Sequence, residues 1–135
     1  MALIDELYNE DASEYLKTHC PDDVRLFCVD PPYCNIVDEK WDIKRDCSDH
    51  VDWLMTLFDA AWDKAAPGCS LIVFQGVGKH GSHPIFELMS RLETKWTYQN
   101  WITWQKRRAY GKKDDYLFCR EEILWFTKSD AGFTF

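Results

Sequence analysis

The sequence predicts an α/β fold, with parallel strands, helices on both faces of the sheet and a β-hairpin towards the C-terminus. Three observations predict it. Two short apolar runs, 24–29 and 71–74, have the length of strands buried in a parallel sheet. Between and after them, apolar residues recur at helical spacing on one face. The last third carries two aromatic and β-branched segments on either side of a basic stretch, which suits a long hairpin at a sheet edge. With 135 residues there is room for one compact unit, so residues 1–135 are read as a single domain.

Taken in order, Asp11 followed by Glu14 resembles a capping box, and Ala12, Tyr15 and Leu16 give a first short helix that ends near Pro21. Val24 to Val29 then form a strand expected to be buried on both faces, closed by Asp30 and two prolines. Residues 34–45 have no convincing period and read as a long loop over that strand end. Val51, Leu54, Met55, Phe58, Ala61, Trp62 and Ala65 mark a strong helix, which Pro67-Gly68 stops before the strand Leu71 to Phe74. Ser82 and Pro84 open another helix with Ile85, Leu88, Met89 and Leu92 as its apolar stripe. Strands Trp96 to Trp104 and Glu122 to Lys128 complete the chain, flanking a basic loop.

A net charge of -7 argues against nucleic acid as a partner when taken as a sum. Locally the balance reverses. Lys106, Arg107, Arg108, Lys112 and Lys113 fall in one segment with no acid among them, and Tyr110 lies inside it. Such a run is either a solvated loop or a phosphate-contacting one. Six cysteines without a signal peptide or a paired-cysteine motif read as free thiols of a reducing compartment. Cys47 with His50 and His80 with His83 have metal-like spacing, but a helix separates the pairs and no metal site is assigned. No stretch is long and apolar enough to span a membrane.

The segment Asp30-Pro31-Pro32-Tyr33, at the end of a strand, carries the chemistry. Consecutive prolines fix the backbone and offer no amide hydrogens, so their carbonyls remain as rigid acceptors. The exocyclic amine of a nucleobase is a poor nucleophile because its lone pair is delocalised into the ring. A carboxylate from Asp30 and the carbonyl of Pro31 can each accept one amine hydrogen, which draws the nitrogen towards tetrahedral geometry and aims its lone pair. Such a base must be flipped out of a duplex, and an aromatic ring at Tyr33 replaces the lost stacking. A plain turn with an acidic cap is the bland reading of the same residues.

The chain resembles the amino-methyltransferases of restriction-modification and phage systems, in the subclass whose catalytic motif precedes the cofactor motif. Besides Asp30 to Tyr33, the resemblance rests on Tyr8-Asn9-Glu10-Asp11, Trp41-Asp42, Pro67-Gly68-Cys69, Trp104-Gln105-Lys106 and Glu121 to Phe126, in that order. It implies a partial Rossmann-like methyltransferase fold and S-adenosylmethionine as methyl donor. DNA would be the substrate, with adenine favoured by the Asp at the first motif position. Asp30, Pro31, Pro32 and Tyr33 would form the catalytic motif, and Asp30 and Asp11 would lie against the cofactor, although Asp11 equally suits a helix cap. Lys106, Arg107, Arg108, Tyr110, Lys112 and Lys113 would contact DNA. The resemblance also implies a cytoplasmic bacterial or phage protein.

The glycine turn that holds the donor in this family has no counterpart in the chain. Gly76-Val77-Gly78-Lys79-His80-Gly81 fits a dinucleotide fingerprint, but the next strand carries no acid for a ribose, so it reads as a flexible turn. The cofactor half and a separate target-recognition domain are both expected to be absent. The chain is then one part of a split enzyme, a truncated one or a degenerate relative, and a companion chain or second copy would supply the glycine-rich half. Cytosine-N4, RNA and protein-glutamine methylation are variants of the same chemistry. An inactive DNA-binding or scaffolding subunit is the non-enzymatic alternative.

Overall fold

The structure is a computed structural model that describes residues 6–34, 42, 46–77, 83–110 and 118–128. Its elements run α1 (Ala12–Thr18), β1 (Val24–Val29), α2 (Cys47–Lys64), β2 (Ala65–Gln75), α3 (Pro84–Leu92), β3 (Thr97–Tyr110) and β4 (Phe118–Thr127). The four strands form one sheet in the order β1-β2-β4-β3. β1 and β2 are parallel, and β4 is antiparallel to both of its neighbours. The expected α/β architecture with a terminal hairpin is present.

Local chemistry accounts for each helix. Asp11 caps α1 by accepting from the backbone amides of Ser13 and Glu14, and Asp46 caps α2 through Ser48. Pro84 stands in the first turn of α3, where a missing amide hydrogen is harmless; the cap position is His83, without a side-chain hydrogen bond. Of the predicted α2 stripe, Val51, Leu54, Met55, Phe58 and Ala61 are buried, Trp62 is half-buried and Ala65 belongs to β2; in α3, Ile85, Leu88 and Leu92 are buried and Met89 is half-buried. These residues meet Leu71 and Val73 of β2 and Leu124 and Phe126 of β4 in one core, to which Leu16 of α1 also belongs.

Side chains alternate across a strand, so Leu71, Val73, Leu124 and Phe126 lie on one face of the sheet. Of the two helix layers expected from sequence, the described residues show this one. On the opposite face Ile72, Phe74, Ile123 and Trp125 are half-buried, while Ile102 and Trp104 are 39% and 50% exposed.

Three boundaries differ from the sequence reading. β1 is not buried on both faces: Leu26 is 52% exposed and Cys28 is also exposed, and among the described strands β1 pairs with β2 alone. An apolar run reports strand character but not whether a neighbour exists on each side. Pro67-Gly68 does not separate helix from strand, because α2 ends at Lys64 and β2 already begins at Ala65. The pair sits where the β1–β2 register slips, between Val24/Ala65 and Leu26/Ser70, with Gly68 at a positive φ of 77°. Finally, β3 runs on to Tyr110, so Lys106, Arg107 and Arg108 lie in a strand and not in a loop. Pairing of Tyr110 with Phe118 extends the hairpin through charged residues that propensity alone assigns to a turn.

Lys128 ties the C-terminal end of the sheet to α2. Its ammonium donates to the carbonyls of Trp62 (2.7 Å) and Ala65 (2.8 Å) at the helix end and lies over the Trp62 ring. A cation is favourable there because the last carbonyls of a helix lack internal donors.

Candidate active site

The parallel strands β1 and β2 end side by side, and ligands of open α/β sheets bind outside such carboxyl ends. Asp30 follows β1 directly and is exposed; Pro31 is buried, and Pro32 and Tyr33 are half-buried. The motif folds back on itself, with the Tyr33 hydroxyl donating to Oδ1 of Asp30 at 2.6 Å. Cys34, buried behind it, takes a left-handed backbone with φ of 66°, a conformation that costs a non-glycine residue about 1–2 kcal/mol. The sharp turn after Tyr33 therefore belongs to the geometry of the motif.

Burial raises the Tyr33 hydroxyl far above the ordinary tyrosine range, and the Asp30 hydrogen bond and the charges of Asp30 and Glu121 raise it further. It therefore stays protonated and remains a donor to Asp30. Across the cleft, Gly76 follows β2 and lies under the Tyr33 ring. A Cβ at position 76 would stand 2.4 Å from Cδ2 of that ring, so the ring can occupy this place only above a glycine. The sequence reading placed Gly76 in a turn but did not connect it with Tyr33; a glycine immediately after a buried strand was the available signal.

Gln75, the last residue of β2, is fully buried, and neither amide atom has a hydrogen-bond partner among the described residues. Its cross-strand neighbour on β4 is Glu122, 3% exposed, which is already engaged. The Glu122 carboxylate accepts from Trp101 Nε1 (2.7 Å) and Thr103 Oγ1 (2.8 Å) and pairs with Arg120. Composition and spacing gave no hint of either residue, because the network depends on strand register.

Among the DNA-contact candidates, Arg107 is exposed, whereas Lys106 is ion-paired with Glu121 and lies 5.7 Å from the Trp104 ring. Lys112 and Lys113, with the side chains of Arg108 and Tyr110, fall outside the described residues, as do Trp41, His80 and the glycine turn from Gly78 to Gly81. Asp42 is buried.

Asp11 serves as the helix cap described above. Beside it, a cavity of about 350 Å³ is lined by Glu6, Tyr8, Glu10, Ala12 and Tyr15. The Tyr8 hydroxyl donates to Glu6, which with burial and nearby negative charge pushes its pKa up to about 12. A second cavity of about 290 Å³ lies between α1, β1 and α2, with Asp30 at its rim and otherwise mainly apolar walls. None of the six cysteines is in a disulfide, and no described helix is long and apolar enough to cross a membrane.

The described residues thus form a mixed sheet with an Asp-Pro-Pro-Tyr turn at the open end of its parallel strands. The chain belongs to the N6/N4 DNA methylase family, whose model, described as DNA methylase, matches residues 24–135. It is 27% identical over 130 residues to the type II methyltransferase M1.MboII of Moraxella bovis, an alignment covering 96% of this chain and 48% of that protein. Its fold is similar to that of the PvuII DNA methyltransferase (cytosine-N4-specific), with a TM-score of 0.74, 16% identity, and coverage of 93% of this chain and 49% of that one. A Thermus thermophilus protein assigned as a DNA modification methylase, solved with S-adenosyl-L-methionine, gives a TM-score of 0.67 at 21% identity, with 92% and 53% covered. The chain thus spans about half the length of the relatives it matches.

Proposed function

We propose that the chain is the catalytic half of an enzyme that methylates the exocyclic amine of adenine in DNA, with S-adenosylmethionine as donor. The observation that carries this reading is the Asp30-Pro31-Pro32-Tyr33 turn at the carboxyl end of β1, with Asp30 exposed and its carboxylate held by Tyr33. One oxygen of Asp30 is engaged by the Tyr33 hydroxyl, and the other is left to accept an amine hydrogen. The Pro31 carbonyl accepts the second hydrogen, so the lone pair is aimed by two fixed acceptors. Tyr33 both orients the carboxylate and offers a face to a flipped base. Adenine is favoured by Asp at the first motif position. The cytosine-N4 specificity of a structural neighbour bears on the fold alone at 16% identity.

S-adenosylmethionine, when bound, supplies the methyl group. The described residues fit only part of such a donor: beside the motif there is one carboxylate and an apolar cavity, with no glycine turn to cradle a methionine moiety. Asp30, with Asp11 near the same end of α1, would face the donor, and its body would be held by a companion chain or a second copy. Arg107 and Lys106, with Arg108, Tyr110, Lys112 and Lys113, would meet the DNA backbone. A cytoplasmic setting fits DNA as the substrate.

The test is Asp30→Ala in the assembled enzyme, read as transfer of labelled methyl to an adenine-containing duplex. Loss of one preorganised acceptor is expected to slow transfer roughly 100- to 1,000-fold. An unchanged rate would assign the chain to a scaffolding role, and label appearing on cytosine alone would correct the base.

A further inference from the structure

The last residue of β2 carries a functional group that the proposed chemistry leaves unused. Gln75 alternates with Leu71 and Val73, so its side chain leaves the sheet on the helix-covered face, where it is 0% exposed. Both of its amide atoms lack a hydrogen-bond partner among the described residues. Buried polar groups are nearly always paired, so a sealed carboxamide without a partner calls for a physical reason.

Its neighbours explain why it stays unpaired. On one side Glu122 stands level with it, but that carboxylate is taken by Trp101, Thr103 and Arg120. On the other side, carrying the β1–β2 register two residues past the Val29–Val73 pair sets Pro31 level with Gln75. A proline has no amide hydrogen to give the carboxamide oxygen. Gly76, next in the chain, has no side chain to offer.

The same register sets the carboxamide beside one of the two acceptors of the proposed site. Adjacent strands lie about 4.8 Å apart, so the backbone of Gln75 is one strand spacing from that of Pro31, whose carbonyl would accept an amine hydrogen. Tyr33, the stacking face, rests on Gly76. A base with its amine at Pro31 and its ring on Tyr33 therefore brings the atoms flanking the amine within reach of residue 75. In adenine and in cytosine one of those atoms is a ring nitrogen with a free in-plane lone pair. In guanine and thymine the corresponding nitrogen carries a hydrogen. Glutamine amides are among the groups that pair with the edge of an amino-substituted base.

We infer that Gln75 is a specificity-determining residue that donates from Nε2 to the ring nitrogen beside the target amine, N1 in adenine. Pro31 and Gln75 then present an acceptor and a donor side by side, matched to an amine hydrogen and a ring lone pair. This rests on the proposed function and adds a residue to the same site. Because Gln75 is fully buried, a base reaches the carboxamide only after side chains around the turn give way, so the contact belongs to the bound state. The amide is unsatisfied in the empty chain and satisfied in the loaded one.

The experiment titrates the 15N-labelled full chain with deoxyadenosine, 7-deaza-deoxyadenosine and 1-deaza-deoxyadenosine and follows the side-chain amide signal of Gln75, identified by its loss in Gln75→Leu. Deoxyadenosine and the 7-deaza analogue are expected to move that signal downfield, whereas the 1-deaza analogue, which has C–H in place of the ring nitrogen, binds about tenfold more weakly and leaves it in place. Gln75→Leu should bind deoxyadenosine roughly tenfold more weakly, bind the 1-deaza analogue as before, and resist denaturant better than the parent. A purely structural glutamine would not tell the two nucleosides apart. Equal shifts with the 1-deaza analogue, unchanged affinity in Gln75→Leu, or a less stable Gln75→Leu would each overturn the inference. If the signals of Asp30 and Tyr33 respond to deoxyadenosine and that of Gln75 does not, the inference falls and the proposed function stands. If none of the three responds to any nucleoside, both fall.

Discussion

Replacing Gly76 with alanine inserts one methyl group at the point where the Asp30–Tyr33 turn meets β2. The new Cβ would lie 2.4 Å from Cδ2, 2.9 Å from Cε2 and 3.1 Å from Cγ of Tyr33. Ordinary carbon contacts begin near 3.5 Å, so the ring has to retreat by roughly an ångström. The hydroxyl at the far end of that ring holds Asp30 at 2.6 Å and cannot retreat without losing the bond. A hydrogen bond to a charged group contributes about 1.5–3 kcal/mol, and misplacing a positioning group by an ångström slows a reaction about 100-fold. Gly76→Ala is therefore expected to reduce methyl transfer by about two orders of magnitude in the assembled enzyme. In the chain itself, spectrophotometric titration should show one tyrosine returning towards its ordinary pKa as burial and the Asp30 bond are lost. A variant that keeps both its rate and its tyrosine titration would show that the ring does not depend on the glycine, and the geometry of the turn would have to be reconsidered.

The folded-state pKa of Tyr33 is raised, so its contribution to stability is complete below the unfolded value of about 10 and declines as pH rises beyond it. Urea unfolding of Tyr33→Phe should lose part of that alkaline decline, and an unaltered pH profile would contradict the burial of the hydroxyl. Gln75→Leu removes a buried amide with two unpartnered atoms and should raise unfolding free energy by about 1–2 kcal/mol in denaturant titration; a loss of stability would mean that the amide has a partner. For DNA, Arg107→Ala should lower the slope of log affinity against log salt by about 0.9. Lys106→Ala should lower it less, because Glu121 already acts as the counter-ion of Lys106; fluorescence anisotropy across a salt series distinguishes the two.

Helices were legible where one face is apolar and the other wet: the stripe from Val51 to Ala61 and the pair Ile85 and Leu88 sit in the core as their spacing requires. The turn at the end of β1 was legible because Asp30 to Tyr33 is a local motif, readable without knowing any strand pairing. What the sequence withheld is non-local. Val24 to Val29 is apolar enough for a central strand, and nothing within those residues says that one neighbour is missing. Lys106 to Arg108 look like a turn until pairing with β4 makes them a strand. The contact of Gly76 with Tyr33 and the engagement of Glu122 by Trp101 join residues on different strands through register, which one-dimensional patterns do not carry.

The strand order has a consequence for how the chain is made. β4 lies in the middle of the sheet, between β2 and β3, yet it is the last of the four to be synthesised. About fifty residues separate the end of β2 from the end of β4, which at roughly 5–20 residues per second is several seconds of translation. Throughout that interval Leu71 and Val73 have no antiparallel neighbour, and the lysine clasp on the end of α2 has not yet emerged. The nascent sheet thus waits for its central plank, and β4, once made, joins β2 to β3.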